Sequence, residues 1–492
     1  MYRLNRKTTD IPATMPLKIL QFGGGNFIRC FVDWMVQILN EEADFKAGVI
    51  VIKPTAKGDY QILKTQDGLF TAILNANENG ALATKTKLIT CVQQVLNPYT
   101  EWNAYLDLAK NPDILFVVSN TTEAGIKFNP EDQYLSAPPN EFPAKLTVWL
   151  FHRFQHFGND LDKGCIMLPC ELIEDNGDRL RTAILNYSKA WHLGEVFISW
   201  IDKANHFCNT LVDRIVSGYP SAMADQLEYE LGYHDKLMVM GEQYHNWIIE
   251  APNSVKKQMP FSKTELKVTF VDDLRPFREM KVRILNGAHT AMVPVAYLAG
   301  MKLVNETMGN PILAGFVESL LKDEVCKTLP FPEQRKQDYI QDVLDRFRNP
   351  SLKHQLIDIA LNSTSKFVTR LLPSLKDYYK QEGRLPKHLV FGLSALLLFY
   401  KGEFNGGKID LKDDPKTLAL FKENWDKLKS GSLSLNQMVH GILGNVDVWN
   451  EDLTLIKDLS TMVTDHLTTI RTYGMIEALT LLNNDKKSTS KT

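Results

Sequence analysis

The pattern of apolar and polar positions changes character part-way along the chain. In the first half, short apolar runs alternate with amphipathic stretches. Leu17–Phe22 (LKILQF) runs into three glycines, and 27–39 then carries helical spacing. Gly48–Ile52 (GVIVI) is apolar throughout and stops at Pro54. Runs 113–118 (DILFVV) and 164–168 (GCIML) have the same look. Uniformly apolar strands alternating with helices predict a parallel, doubly wound sheet buried on both faces. Segments 69–74 and 86–92 flank Asn79-Gly80, a hairpin signal. Runs 236–240 and 266–271 read as further strands of the main sheet.

Beyond about residue 274 the period becomes helical. Helices are expected over 276–299, 311–328, 334–348, 351–373, 388–401, 415–429, 435–443 and 452–482. The fold class expected is α/β plus all-α: a Rossmann-like domain over 1–273 and a helical domain over 274–492. The polar tail NNDKKSTSKT (483–492) reads as frayed.

Composition narrows the function classes. Of 492 residues, 44% are hydrophobic and 23% charged, and the net charge is −2. That balance argues against a disordered chain and offers no global attraction to nucleic acid or anionic membrane. The longest apolar run, 389–400 (LVFGLSALLLFY), is too short for a bilayer and reads as a buried core helix. The N-terminus has no apolar signal segment. Six cysteines at irregular spacings, without a CxxC, read as buried reduced thiols rather than a zinc site. A cytoplasmic protein is expected.

Two stretches carry chemistry. The first is QFGGGNFIR (21–29), between a strand and a helix. Gly23 suits the tight turn, and Gly25 suits close approach of backbone N–H groups to a pyrophosphate. The third fingerprint glycine falls at Ile28, so the motif is incomplete. The second strand ends in Lys53-Pro54-Thr55 without an acid, which leaves NAD and NADP open. Ser119, Asn120, Thr121, Thr122 and Glu123 follow a central strand, where such sheets bind ligands; they equally suit a helix N-cap.

The second stretch is KVRILNGAH (281–289). At 100° per residue, Asn286 lies about 140° and His289 about 80° around a regular helix from Lys281. A desolvated lysine serves as a general acid/base near neutral pH, and an amide and an imidazole can hold a carbonyl oxygen. Such a set suits alcohol/ketone chemistry in which a cofactor carries the hydride. Trp247 reads as core, and Asp213-Arg214 as a buried ion pair.

Together, QFGGGNFIRCFVDW (21–34), VSNTTEAGI (118–126), LPCELIEDNGDRL (168–180), FCNTLVDRI (207–215), VDDLRPFREMKVRILNGAHTAMVP (271–294) and RFRNPSLKHQLIDIALNSTSKFVTR (346–370) resemble the polyol-specific long-chain dehydrogenase/reductase family, in its uronate branch. The resemblance implies Lys281 as acid/base, with Asn286, His289 and Asn176 around the substrate oxygen. It matches Gly23, Gly25 and Asn26 to the cofactor loop, where Phe22, Gly24 and Phe27 are candidates beside them, while Ser119, Asn120, Thr121 and Glu123 are cofactor candidates by their place after the central strand. It places Lys366 in the substrate pocket. Polyol-oxidising members tend to carry an arginine where this chain has Asp358, and an acid where it has His354. A uronate carboxylate wants cations instead, for which Arg346, Arg348, His354, Lys366 and Arg370 are candidates. The implied activity is metal-independent and uses NAD: reversible reduction of a small keto-uronate, D-tagaturonate, to an aldonate by a monomer or homodimer. Fructuronate and fructose/mannitol chemistry are sibling alternatives, and a non-catalytic dinucleotide sensor is one of another class.

Overall fold

The computed structural model describes every residue except 79–80, 123, 135–136, 351–352 and 489–492. The expected hairpin turn at Asn79-Gly80 and the site residue Glu123 therefore lie outside the described residues. The chain forms two compact units, one from residues 1–78 and 83–274, the other principally from Arg275 onward.

The first unit is built on a six-stranded parallel sheet. Its strands are β1 (Leu17–Phe22), β2 (Gly48–Ile52), β3 (Val92–Leu96), β4 (Phe116–Ser119), β5 (Ile166–Pro169) and β6 (His206–Phe207), in the order β3-β2-β1-β4-β5-β6. The order reverses direction between β1 and β4, the point where open α/β sheets bind ligands. Alternate residues serve opposite cores: Ile19, Val49, Val51 and Val118 on one face, Leu20, Ile50, Ile52 and Val117 on the other. This two-sided burial is why the strands read as unbroken apolar runs. Phe22 pairs with Ser119, and Ser119 with Pro169, so three carboxyl ends finish level.

Two expectations are corrected here. Run 236–240 does not extend the parallel sheet; Val239–Glu242 belongs to a four-stranded mixed sheet with Val216–Gly218, Phe70–Glu78 and Ala81–Ile89. Val268–Val271 joins a three-stranded sheet beside Asn246–Glu250 and Asn209–Asp213. An apolar run specifies burial but not a partner, and both segments find theirs outside the main sheet. Strand β3 was not expected; its sequence, VQQVL, carries two glutamines.

The second unit is helical. Its central α2 runs from Arg275 to Leu298 and includes a π-helical turn over Val282–Asn286. α3 (Glu333–Phe347) and α4 (Ser363–Arg370) flank the site described below. The 389–400 run is a buried helix, Lys387–Phe399, as expected. Its first N–H groups, of His388 and Leu389, donate to the buried Glu324 carboxylate at 2.8 Å each.

The expected helix over 351–373 is broken instead. Asn362 adopts φ +53°, and Asp413 caps the start of α4 through Thr364 N and Oγ1. Gly474, at φ +83°, likewise splits 452–482 into Leu459–Tyr473 and Met475–Ser488. That last helix also reaches into the tail read as frayed. Among the described residues no helix is long and apolar enough to cross a membrane. The six cysteines are unbridged and buried.

Candidate functional site

In the first unit, β1 turns into the helix α1, which runs from Asn26 to Glu42 through a π-helical turn at Arg29–Asp33. Gly23 makes that turn at φ +116°, and a Cβ there would lie 2.6 Å from Asn120 O. Only glycine satisfies both the angle and the approach. Gly24 N–H donates to Tyr60 Oη at 2.9 Å. Gly25 is the N-cap, is exposed, and has nothing within 4 Å of where a Cβ would sit. The first N–H groups of α1 are therefore open to a diphosphate, whose charge the helix N-terminus favours.

The loop is braced from below. Arg29 Nε donates to Gly24 O (3.1 Å), and its Nη2 donates to Asn26 Oδ1 (2.8 Å). Gln21 Nε2 donates to Gly23 O (3.1 Å) and to Asp33 Oδ2 (3.3 Å). Phe22 is fully buried against Tyr105 and Phe142, so it serves the loop through its main chain alone. Phe27 stacks on Phe31 at 5.0 Å.

The neighbouring loop after β4 is organised by Glu171, which sequence reasoning did not single out. Its carboxylate accepts from Ser119 Oγ (3.0 Å), Thr121 N (3.0 Å) and Thr121 Oγ1 (2.9 Å). Burial pushes its pKa up while these donors pull it down. Ser119 and Thr121 were expected as cofactor ligands. Their hydroxyls are instead committed to Glu171, and Asn120 Nδ2 donates to Cys170 O at 3.0 Å, so of these three side chains Asn120 Oδ1 alone makes no hydrogen bond among the described residues. The available signal was an acid two residues past the carboxyl end of a buried strand.

Asn176 is also corrected. Its side chain is buried, with Nδ2 shared among Pro169 O, Glu171 O and Thr210 O at 3.0–3.1 Å. Its Oδ1 accepts from Thr210 N (2.9 Å) and Gly177 N (3.0 Å). It staples the end of β5 to the Asn209–Asp213 strand and has no donor left for a substrate oxygen. Trp247 is core, as expected, packed on Phe31 and Phe261. Arg214 donates to the carbonyls of Tyr244 (3.1 Å), Gln243 (3.2 Å) and Cys30, with its guanidinium 4.2 Å from the Trp34 ring centroid.

In the second unit, Lys281, Asn286 and His289 all lie on α2. The regular-helix geometry expected for them does not hold, because Gly287 N–H reaches back five residues to Val282 O. A π turn absorbs one extra residue and sets the following positions back by roughly 100°. Asn286 then falls about 40°, and His289 about 20°, from Lys281, a tighter grouping than a regular helix gives. The π turn is thus part of how the set is assembled. The Asn286 carboxamide and His289 Nε2 have no hydrogen-bond partner among the described residues, and that nitrogen is buried.

Around His289 stand Phe347 (4.3 Å between ring centroids) and His354 (5.3 Å). Burial pushes the His289 pKa well down, followed by the charges of His354, Arg346, Arg370 and Lys366. The imidazole is therefore neutral at physiological pH. His354 is lowered by burial, against the pull of Asp358. Lys366, lowered by burial and then by Arg370, donates to Ile359 O at 2.8 Å. Arg370 Nη1 donates to Thr290 Oγ1 at 3.2 Å. Cations thus surround one neutral imidazole, an environment that favours an anion.

Arg348, expected in this group, is elsewhere. It pairs with Glu318 (2.7 Å) and Asp345 (3.5 Å). Arg346, 5% exposed, is instead near enough to His289 for its charge to help lower the imidazole pKa. On a helix, residues two apart point to different sides, which is why the two arginines separate.

Comparison with known proteins agrees with this architecture. Residues 17–263 match the mannitol dehydrogenase Rossmann domain, and 273–471 match the mannitol dehydrogenase C-terminal domain. Altronate oxidoreductases from Yersinia enterocolitica, Cronobacter sakazakii and Escherichia coli O1:K1 are each 44% identical over 481 residues, 97% of this chain and 99% of theirs. Two solved structures share the fold at 21% identity. D-sorbitol dehydrogenase in substrate-free form matches with TM-score 0.79 over 97% of this chain and 100% of its own. Pseudomonas fluorescens mannitol 2-dehydrogenase, in ternary complex with NAD and D-mannitol, matches with TM-score 0.68 over 98% and 99%. The fold and sequence define an oxidoreductase acting on CH–OH groups. The chain belongs to the mannitol dehydrogenase family.

The loop geometry sets a first expectation. Gly23→Ala forces both φ +116° and a 2.6 Å clash with main chain. We expect NADH binding, measured by fluorescence titration, to weaken at least tenfold. Gly25→Ala, at a conformation open to any residue, changes it far less unless the ligand itself fills that space.

Proposed function

We propose that this chain is an NAD-dependent tagaturonate reductase that interconverts D-tagaturonate and D-altronate. The observation that carries the reading is the group of cations around neutral His289, on a chain 44% identical to altronate oxidoreductases over nearly its whole length. A keto-uronate has a carboxylate for the cations and a carbonyl for the neutral donors; a polyol has no carboxylate.

The open N-terminus of α1, with Gly25 bare of neighbours, fits a dinucleotide pyrophosphate. Lys53, the candidate for a 2′-phosphate, is buried, which favours NADH over NADPH. When bound, the dinucleotide supplies the hydride. This chain supplies the rest. Lys281 gives the proton that ends on the substrate oxygen. Asn286 and neutral His289 orient that oxygen and stabilise its developing charge. Arg346, Lys366 and Arg370 hold the carboxylate, which fixes the keto carbon in place. A cytoplasmic setting suits this chemistry and the reduced cysteines.

The test mixes purified protein with NADH and D-tagaturonate and follows loss of the NADH absorbance. D-fructuronate and D-fructose are run alongside. We expect D-tagaturonate to be reduced fastest. Preference for either other ketone moves the chain to a sibling activity, and silence on all three with NADH and NADPH favours a non-catalytic sensor.

Carboxylate recognition gives a second expectation. Arg370→Met removes one charge-assisted contact, worth about 1.5–3 kcal/mol. KM for D-tagaturonate should rise at least tenfold with little change in NADH affinity. An unchanged KM would remove Arg370 from the substrate site.

A further inference from the structure

Beyond β2 the chain returns to the glycine loop. Residues 53–60 lead from β2 to a short helix at Gln61–Thr65, and Tyr60 is the last of them. Gly24 explains how the tyrosine ring can lie against the loop. A Cβ on Gly24 would stand 2.9 Å from Tyr60 Cε1, 3.2 Å from Val51 Cγ1 and 3.3 Å from Leu63 Cδ2. Any side chain at this position would push the ring away; glycine lets it close on the main chain.

The hydrogen bond at that contact runs one way. Gly24 N–H donates to Tyr60 Oη at 2.9 Å, so the phenol oxygen is the acceptor. A phenol also carries one O–H donor, and here it must point away from Gly24. That donor has no acceptor among the described residues. The neighbouring Asp59 turns its Oδ1 to Gln61 N at 2.7 Å. Tyr60 is partly exposed, and Gly25, the next residue of the loop, is open. An unspent donor thus stands beside the bare N-terminus of α1.

Its surroundings suit an anion. Arg29 lies under the loop, bonded to Gly24 O (3.1 Å) and Asn26 Oδ1 (2.8 Å), and its charge reaches Tyr60. Burial raises the Tyr60 pKa against the pull of Gly24 N–H and Arg29. The phenol therefore keeps its proton at neutral pH and can donate it in a hydrogen bond.

We propose that Tyr60 is a cofactor-binding residue whose hydroxyl accepts from Gly24 N–H and donates to the diphosphate of the dinucleotide. The tyrosine takes one main-chain donor away from the ligand and presents its own O–H further out in exchange. The proposal rests on the dinucleotide reading of the glycine loop.

Recognition separates from bracing by a simple argument. Tyr60→Phe leaves Gly24 N–H without its acceptor in free and bound protein alike, so that cost falls on folding. Ligand affinity reports the hydroxyl's other bond. The test titrates the full chain with NADH, ADP and adenosine, by fluorescence for NADH and by calorimetry for the other two. Tyr60→Phe should weaken NADH and ADP about tenfold each, the effect of one hydrogen bond to a charged acceptor. Adenosine, which has no phosphate, should stay within about twofold. Tyr60→4-aminophenylalanine keeps an N–H donor at the same point but accepts poorly from Gly24. It should return NADH affinity to within about threefold of wild type. Circular dichroism and one cooperative unfolding transition show that both variants fold. NADH and ADP affinities of Tyr60→Phe at the wild-type value would overturn the proposal. So would an equal loss on adenosine, or a loss that 4-aminophenylalanine does not repair. Wild-type protein that bound neither NADH nor ADP would overturn the dinucleotide reading itself, and the proposal with it.

Discussion

Lys281→Ala should lower kcat for D-tagaturonate reduction about a thousandfold while leaving NADH affinity at the wild-type value. General acid/base catalysis contributes roughly 10²–10⁴ in rate, and a thousandfold loss corresponds to about 4 kcal/mol of transition-state stabilisation. The split between kcat and binding is the informative part. Lys281 lies on α2 in the helical unit, and the loop proposed for the dinucleotide lies at Gly23–Gly25 in the other. A proton donor that acts only as charge develops changes kcat and kcat/KM together and leaves cofactor titrations alone. Turnover of the alanine variant at wild-type rate and neutral pH would remove Lys281 from the chemistry. His289 should not supply a compensating ionisation, because its burial among cations keeps it neutral across the working range.

The order of strands and helices was legible because two-sided burial writes itself as unbroken apolar runs. Gly48–Ile52 and Phe116–Ser119 are buried at every position. What could not be read was which sheet a late strand joins, since an apolar run such as Val239–Glu242 carries no record of its partner. Nor was the π turn at Val282–Asn286 legible, because a hydrophobic period of 3.6 tolerates one inserted residue. The cation group was legible as composition, yet the two-residue choice between Arg346 and Arg348 depended on helix phase. Asn176 and Ser119 show a further limit. Polar residues at strand ends look alike whether they meet a ligand or a main-chain carbonyl, and only the hydrogen bonds separate the two.

Asp33 carries the other large expected effect. It lies on α1 beneath the cofactor loop, fully buried, with its carboxyl pKa pushed up to about 7 by burial against the pull of Gln21 and Arg29. Asp33 Oδ1 and Gln21 Oε1 both lack partners, so a proton on Asp33 supplies one donor where two acceptors are unpaired. In the unfolded chain the same carboxyl titrates near 3.8. Between pH 4 and 7 the native state therefore holds a proton that the unfolded state has released. Stability must fall as pH rises through this window and level off above about 7. About three pK units at about 1.4 kcal/mol each give a penalty on the order of 4 kcal/mol at pH 8. Asp33→Asn replaces the acid by a neutral group of the same shape and carries no such penalty. Urea unfolding, followed by fluorescence at pH 5 and pH 8, should show the variant gaining on wild type by several kcal/mol between the two. A difference that is the same at both pH values would mean that Asp33 is already ionised in the native fold at pH 5. In that case Arg29 would be its effective partner, and the bracing of Gly23 through Gln21 would not depend on a proton.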